Sequence, residues 1–114
     1  MPRIYKILAR AEWAAAEAAG RYEGSAVDVR DGFIHFSTDA QVAETARRHF
    51  AGQADLVVLE LEADALDGAL RWEPSRGGDL FPHLYGVLST RHVLSVREAP
   101  LGADGVPVLG PPHA

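Results

Sequence analysis

The side chains best suited to chemistry are concentrated in residues 70–86, which read LRWEPSRGGDLFPHLYG. The charged and polar members of this stretch are Arg71, Glu73, Arg76, Asp79, His83 and Tyr85. Trp72 and Phe81 lie among them, which a surface loop would not need for solubility. A core strand would not tolerate so many charges, because burying an unpaired charge is costly. We therefore interpret the stretch as a half-buried segment whose polar groups are directed at a common target that the stretch itself does not identify.

A second candidate group lies in residues 33–37, FIHFS, whose aromatic and β-branched side chains predict a strand. Successive side chains of a strand point to opposite faces, so Ile34 and Phe36 share one face, which we assign to the core. His35 and Ser37 then point together to the other face, where they could hydrogen-bond a ribose or a phosphate.

Together these residues suit a nucleotide or a sugar phosphate. Arg71 and Arg76 can bind a phosphate in a bidentate manner. Glu73 can orient a hydroxyl or stabilise positive charge that develops at a sugar carbon. A purely structural interpretation stands beside this one. In it, Arg71 pairs only with Glu73 on a sheet face, Arg76 braces its loop, and His35 is a core histidine with a backbone partner.

Composition argues against several classes of function. The chain has 114 residues, of which 47% are hydrophobic and 24% charged, as expected for a single globular domain spanning residues 1–114. Neither disorder nor a membrane span is indicated. The net charge of -5 argues against broad binding to nucleic acid, and the absence of cysteine excludes thiolate chemistry. We recognise no secretory signal and expect a cytoplasmic protein.

The sequence also lacks the common catalytic and metal-binding motifs. The histidines show no metal-ligand spacing, so we expect no metal site; they are His35, His49, His83, His92 and His113. No serine lies in a GxSxG sequence, and neither GxxxxGK[ST] nor GxGxxG occurs. Serine hydrolysis and the ordinary nucleotide-binding folds are therefore not expected.

The apolar pattern predicts elements in the order β, α, β, α and then several β. We predict strands at residues 4–8, 33–37, 55–62, 70–73, 93–98 and 106–109, and helices at residues 11–19 and 39–50. Residues 21–32 are predicted to be irregular, and the tail from about residue 110 is expected to fray. This order indicates an α+β domain with a bent, mostly antiparallel sheet and two helices.

The same pattern gives expectations about burial. Trp13 is a packing residue of the first helix. The strand of residues 55–62 is the central one, with Glu60 and Glu62 allowing its end to reach water. In the strand that follows, Trp72 points inward by alternation.

Four segments carry a resemblance to a known family; they are IYKIL, GSAVDVRDGFIHFST, ARRHFAGQADLVVLELEAD and ALRWEPSRGGDLFPHLYG. They resemble the family known as domain of unknown function 952, small bacterial proteins that also occur in some eukaryotes. The resemblance covers the chain from Ile4 to about Val96. That family's fold is similar to the fold of ADP-ribosylating toxins and transferases. It implies a split, strongly bent sheet with a cleft that holds NAD in the active members, but it implies no particular reaction.

A weaker resemblance concerns Arg30 and the sequence GFIHFS. This segment is similar to an arginine followed closely by VHLS in RNA 2'-phosphotransferases, which share that fold and use NAD. The match implies that Arg30 contacts phosphate and that His35 lines the NAD cleft. Two departures are clear: residues 6–8 read KIL where those enzymes carry His-Gly-Thr, and their N-terminal RNA-binding lobe has no counterpart here.

Mono-ADP-ribosyltransferases of the same fold use a late glutamate at the reacting sugar, a role for which Glu73 is the candidate. The leading hypothesis is therefore a cleft that binds NAD or a related nucleotide phosphate and supports ADP-ribosyl or phosphate transfer. The candidate catalytic residues are Glu73 and His35, and the candidate ligand-binding residues are Arg30, Ser37, Arg71, Arg76, His83 and Tyr85. The alternative is a non-catalytic module on the same fold that senses a ligand or binds a partner protein.

Overall fold

The computed structural model describes residues 2–110, apart from the side chains of Asp67 and Arg76. Its strands are β1 (Arg3–Ala9), β2 (Arg21–Tyr22), β3 (Ile34–His35), β4 (Ser37–Thr38), β5 (Leu56–Glu62), β6 (Leu70–Pro74), β7 (Leu80–Leu84), β8 (Leu88–Ser89) and β9 (Val93–Glu98). The α-helices are α1 (Arg10–Ala19), α2 (Ala26–Asp31) and α3 (Val42–His49). Short 3-10 helices occupy Ala63–Ala69, Arg76–Gly78 and Thr90–His92. The α+β class and the antiparallel pairing are confirmed.

The largest sheet has the order β4-β1-β5-β9, so β5 is an inner strand as predicted. Both faces of its inner strands, β1 and β5, are covered, because apolar side chains point to each face in turn. One face packs on Trp13 and Ala16 of α1, which are buried, while the other packs on Val42 and Ala46 of α3. Burial of both faces is the main source of stability available to a chain of this size.

Glu60 of β5 does not reach water, contrary to the expectation. The residue is 8% exposed because neighbouring strands cover β5 on both sides. Arg3, Ser95 and Arg97 donate hydrogen bonds to its carboxylate at 2.8–2.9 Å. Burial alone would raise its pKa, but the bond from Arg97 and the other contacts lower it. The carboxylate thus remains ionised in a covered position.

The predicted strand of residues 33–37 is divided between two sheets. β3 pairs with β7 in a three-stranded sheet of order β3-β7-β6, whereas β4 pairs with β1 in the large sheet. Phe36 lies at the crossing, where its N–H donates to the carbonyl of Pro82 at 3.0 Å. We predicted a single bent sheet, but the described residues form three separate sheets. The third sheet is the pair β2-β8.

The prediction of two helices was wrong, because residues 21–32 include the helix α2. Ser25 and Asp28 form a capping box at its start, and Gly32 ends it in the left-handed conformation with φ 88°. The prediction of an irregular segment overlooks that a serine followed three residues later by an acid favours a helix start. This missed helix forms one wall of the candidate site.

Trp72 is 39% exposed and does not point into the core. The predicted inward position of Trp72 is therefore wrong. β6 is an edge strand, and the residue opposite Trp72 on its neighbour β7 is Pro82. The expected strand at residues 106–109 is reduced to an isolated bridge between Leu101 and Pro107. The expectation of a frayed tail concerns residues 111–114, which lie outside the described residues. Within the described residues, no helix has the length and apolar character needed to cross a membrane.

Candidate functional site

An open cleft of about 630 Å³ lies between the large sheet and the three-stranded sheet, with α2 and α3 contributing to its walls. Its polar lining includes Lys6 from β1, Asp28 and Asp31 from α2, His35 from β3, Ser37 from β4 and His83 from β7. The division of residues 33–37 between two sheets places His35 and Ser37 in the same cleft, as their spacing predicted.

A buried ion pair forms the base of this cleft. Nζ of Lys6 donates hydrogen bonds to both carboxylate oxygens of Asp28, at 3.0 and 2.8 Å. Burial lowers the pKa of Lys6, against the attraction of Asp28. Burial would raise the pKa of Asp28, but hydrogen bonds from His35 and Lys6 and the charge of Lys6 hold it well below its usual range. We conclude that the pair is ionised, because each partner satisfies the charge of the other.

His35 is held by two carboxylates of α2. Its Nδ1 lies 2.6 Å from Oδ1 of Asp28, whose oxygen also accepts the backbone N–H of His35 at 3.1 Å. Its Nε2 lies 3.0 Å from Oδ2 of Asp31. Because carboxylate oxygens only accept hydrogen bonds, each ring nitrogen of His35 faces an acceptor. The ring of His35 is thus fixed on the cleft wall between two carboxylates.

His83 is oriented by a different carboxylate. The buried Nδ1 of His83 lies 2.8 Å from Oε1 of Glu73, and the hydroxyl of Tyr85 donates to the same oxygen at 2.7 Å. The bond from Tyr85, together with that from His83, lowers the pKa of Glu73. An ionised Glu73 fixes the ring of His83 with Nδ1 protonated and leaves Nε2 as the nitrogen for a ligand.

The two histidines lie next to each other because they are register partners in the β3–β7 pair. Their ring centroids are 5.5 Å apart in an edge arrangement. Phe33 packs against both rings, stacked on His83 at 4.1 Å and tilted against His35 at 4.5 Å. The aromatic contact limits the rotation of both imidazoles, so their orientation is set before any ligand arrives.

The structure brings some of the predicted site residues together and separates others. Arg30, His35, Ser37 and His83 line the cleft. Glu73, Arg71 and Tyr85 do not line it. Glu73 and Tyr85 reach it only through His83, and the guanidinium of Arg71 lies 5.5 Å from the ring centroid of Tyr85, a cation–π contact. The side chain of Arg76 lies outside the described residues.

Ser37 has a partner within the protein. Its hydroxyl lies 2.8 Å from the hydroxyl of Thr45 in α3, and Thr45 in turn donates to the carbonyl of Gln41 at 3.1 Å. Ser37 is 4% exposed. Its position on the cleft wall is therefore fixed by α3. Because Thr45 gives its proton to Gln41, Ser37 donates to Thr45 and can only accept a hydrogen bond from a ligand.

Sequence reasoning missed Lys6, Asp28 and Asp31. Lys6 carried a recognisable signal, since Ile4 and Leu8, two residues away on each side, belong to the core face of β1. A charge on a core face needs a buried partner. Asp28 carried the capping signal already described. Asp31 follows Asp28 by three residues, which places both on one side of α2 once the helix is recognised.

A metal site is not supported by the side chains that the structure describes. Within residues 2–110 we find no group of three or more His, Cys, Asp or Glu side chains placed to hold an ion. The chemistry available in the cleft is instead that of two oriented imidazoles, a buried ion pair and the exposed guanidinium of Arg30. These groups can bind an anion and can exchange protons with a hydroxyl.

The chain is similar to a known family and to a solved structure. The family model described as Protein of unknown function (DUF952) matches residues 7–96. A search of curated proteins found no match. The crystal structure of protein CC0527 from Caulobacter crescentus is 57% identical to this chain, with 93% of each chain covered and a TM-score of 0.91.

Two further structures of CC0527 give the same result. A crystal structure of a double mutant is 55% identical, covers 93% of each chain and has a TM-score of 0.91. The solution NMR structure is 57% identical, covers 92% of this chain and 90% of the other, and has a TM-score of 0.84. The architecture described above is thus similar to that of a protein solved by two experimental methods.

Proposed function

The chain belongs to the family of proteins of unknown function DUF952, and from that premise we propose that its cleft binds NAD or a related nucleotide phosphate. The fold proposed with it is the ADP-ribosylation-like one, in which a split sheet encloses a nucleotide. The separation of the large sheet from the three-stranded sheet, with the cleft between them, supports that proposal.

One observation carries the proposal. Two adjacent histidines, His35 and His83, line a single open cleft, and each is fixed through Nδ1 by a carboxylate. Ligand-binding and catalytic histidines commonly have such an orienting partner. The volume of about 630 Å³ lies within the range of clefts that bind small molecules.

In the enzyme version, His83 and Arg30 have different roles. Nδ1 of His83 is held by Glu73, and its Nε2 accepts the proton of an attacking hydroxyl while the hydroxyl oxygen bonds to the phosphorus of a ligand phosphate. The bond from this phosphorus to its leaving group breaks with the electron pair going to the leaving group, which takes a proton from water. The guanidinium of Arg30, beside His35 in the cleft, stabilises the negative charge on the phosphate oxygens during transfer. Glu73 then acts through His83 as a positioning residue, because Tyr85 and His83 both occupy its Oε1.

The alternative is a non-catalytic module that binds the same ligand class. It is favoured by the placement of Glu73, which does not line the cleft and whose Oε1 already accepts two hydrogen bonds. In that case no turnover of the ligand is found, and Glu73→Gln changes the affinity by no more than a small factor. In the enzyme version, Glu73→Gln stops turnover while leaving affinity nearly intact.

The test is an amide chemical-shift titration of the labelled protein with NAD, ADP-ribose and a 2'-phosphorylated nucleotide in turn. We expect saturable shifts that cluster at His35, Ser37 and His83. His83→Gln should weaken binding, whereas the matched control His92→Gln, which lies away from the cleft, should not. Absence of saturable shifts at millimolar concentrations of all three ligands would contradict nucleotide binding.

A further inference from the structure

The cleft contains a position suited to an anion, and the carboxylate of Asp31 occupies it. Nε and Nη2 of Arg30 donate to the two carboxylate oxygens of Asp31, at 2.9 and 3.4 Å. Nε2 of His35 lies 3.0 Å from one of the same oxygens. Arg30, Asp31 and His35 all line the cleft. One carboxylate is therefore held between a guanidinium and an imidazole, as an anionic ligand would be.

The two carboxylates around His35 differ in how firmly they are held. The side chain of Asp28 is 2% exposed and is fixed by Lys6 and by the backbone N–H of Ser25 at 2.9 Å. The side chain of Asp31 is 31% exposed, and its partner Arg30 is 71% exposed. Exposed ion pairs contribute little to stability because both side chains remain solvated. Asp31 can therefore leave His35 without disturbing the buried contacts, and Asp28 would still hold the ring.

We propose that Asp31 is a built-in competitor, which occupies the position of a ligand phosphate and is displaced when that phosphate binds to Arg30 and His35. The inference rests on the proposed function, which makes the cleft a ligand site. It adds that the phosphate group of the ligand binds beside Arg30 and His35. A planar guanidinium binds phosphate as well as carboxylate in a bidentate manner. The Nε2–H of His35 supplies a third hydrogen bond.

Displacement of Asp31 has a consequence for specificity. A neutral sugar cannot replace the charge that Asp31 supplies to Arg30 and His35, so its binding leaves Asp31 in place. A phosphate dianion carries more charge than the carboxylate and presents more acceptor oxygens. The cleft therefore favours ligands with a phosphate at this position, because only an anionic group can replace the charge of Asp31 beside Arg30 and His35.

The test compares the wild-type protein with Asp31→Asn, using inorganic phosphate as the probe. The side-chain resonances of Arg30 and His35 report binding directly by NMR. We expect the apparent Kd for phosphate to fall by at least about fivefold in Asp31→Asn, because the competing anion is absent. Glu17→Gln, an exposed position on α1, makes the same change in net charge and should leave the Kd unchanged.

Two further variants identify the contact itself. Asp31→Ala should give the same gain as Asp31→Asn, so a folding defect in one variant does not decide the result. The double variant Arg30→Gln with Asp31→Asn should lose the gain. An unchanged Kd in both Asp31 variants, or an equal gain in Glu17→Gln, would overturn the proposal.

The outcome is separable from that of the proposed function. If Asp31→Asn binds phosphate more tightly while neither protein binds any of the nucleotides, the competitor role of Asp31 stands and the nucleotide proposal is wrong. If the wild type binds nucleotides but the Asp31 variants show no gain with phosphate, the competitor role is wrong and the nucleotide proposal stands.

Discussion

Lys6 and Asp28 form a buried ion pair in which one ammonium group donates to both oxygens of one carboxylate, with side-chain exposures of 7% and 2%. Asp28 also receives the backbone N–H of Ser25 and that of His35. One side chain therefore joins β1, the start of α2 and β3. This relationship explains how three short elements can hold the cleft in a defined shape.

We predict that Asp28→Asn lowers the free energy of unfolding by about 3–5 kcal/mol, because the charge of Lys6 remains buried without its partner. Urea denaturation measures the change. Asp39→Asn, at an exposed position, should cost less than about 1 kcal/mol. Adding Lys6→Met to Asp28→Asn should recover part of the loss, and failure to recover any would show that the cost arises from the helix cap rather than from the buried charge.

The depressed pKa of Asp28 predicts a specific pH dependence. In the unfolded chain the carboxyl has its ordinary pKa of about 3.8, and in the folded protein its pKa is lower. Its stabilising contribution is therefore complete above that unfolded value and is lost as the pH falls toward the folded pKa. Below about pH 4 the stability difference between wild type and Asp28→Asn should shrink. A constant difference from pH 7 to pH 3 would contradict the assignment.

Tyr85→Phe should raise the pKa of Glu73 toward its ordinary value, because the hydroxyl of Tyr85 is the main group that lowers it. Carboxyl carbon shifts followed by NMR through a pH titration measure this directly. Glu17, which is exposed on α1, serves as an internal reference that should not move. If the pKa of Glu73 is unchanged in Tyr85→Phe, then His83 rather than Tyr85 controls that carboxylate.

The two tryptophans should respond differently to truncation. Trp13→Ala should cost about 3–5 kcal/mol, since Trp13 is 8% exposed and belongs to the core. Trp72→Ala should cost much less, since Trp72 is 39% exposed on an edge strand. Urea denaturation of the two single variants is a matched comparison because the deleted side chain is the same. Equal costs would mean that Trp72 is covered in solution.

Replacing Gly20 by another residue should lower the free energy of unfolding, because the backbone there is in the left-handed region. Its φ of 81° is in the left-handed region, while a Cβ at this position would meet no atom within 4 Å. Gly20→Ala should therefore destabilise the protein by about 1 kcal/mol through strain alone. Gly68→Ala is the control, because that glycine is equally open and has no such φ. A similar loss in both variants would exclude backbone strain as the cause.

Several features could be predicted from the sequence because they depend on neighbours along the chain. The apolar run of β5, the alanine-rich α1 ending at Gly20, and the shared cleft position of His35 and Ser37 follow from periodicity and local propensity. The class and the family resemblance also came from local patterns. In each case the feature depends on contacts between residues close in the sequence, or on the apolar residues along one face of a single helix or strand.

The tertiary structure alone decided which strand neighbours which, and this changed the assignment of roles. Trp72 is exposed because β6 has a neighbour on one side only, and Glu60 is buried because β5 has neighbours on both sides. Glu73 became a partner of His83 because β6 pairs with β7. The pairing of Lys6 with Asp28 joins residues 22 positions apart, and no local pattern specifies which buried charge meets which, because that depends on the packing of whole elements.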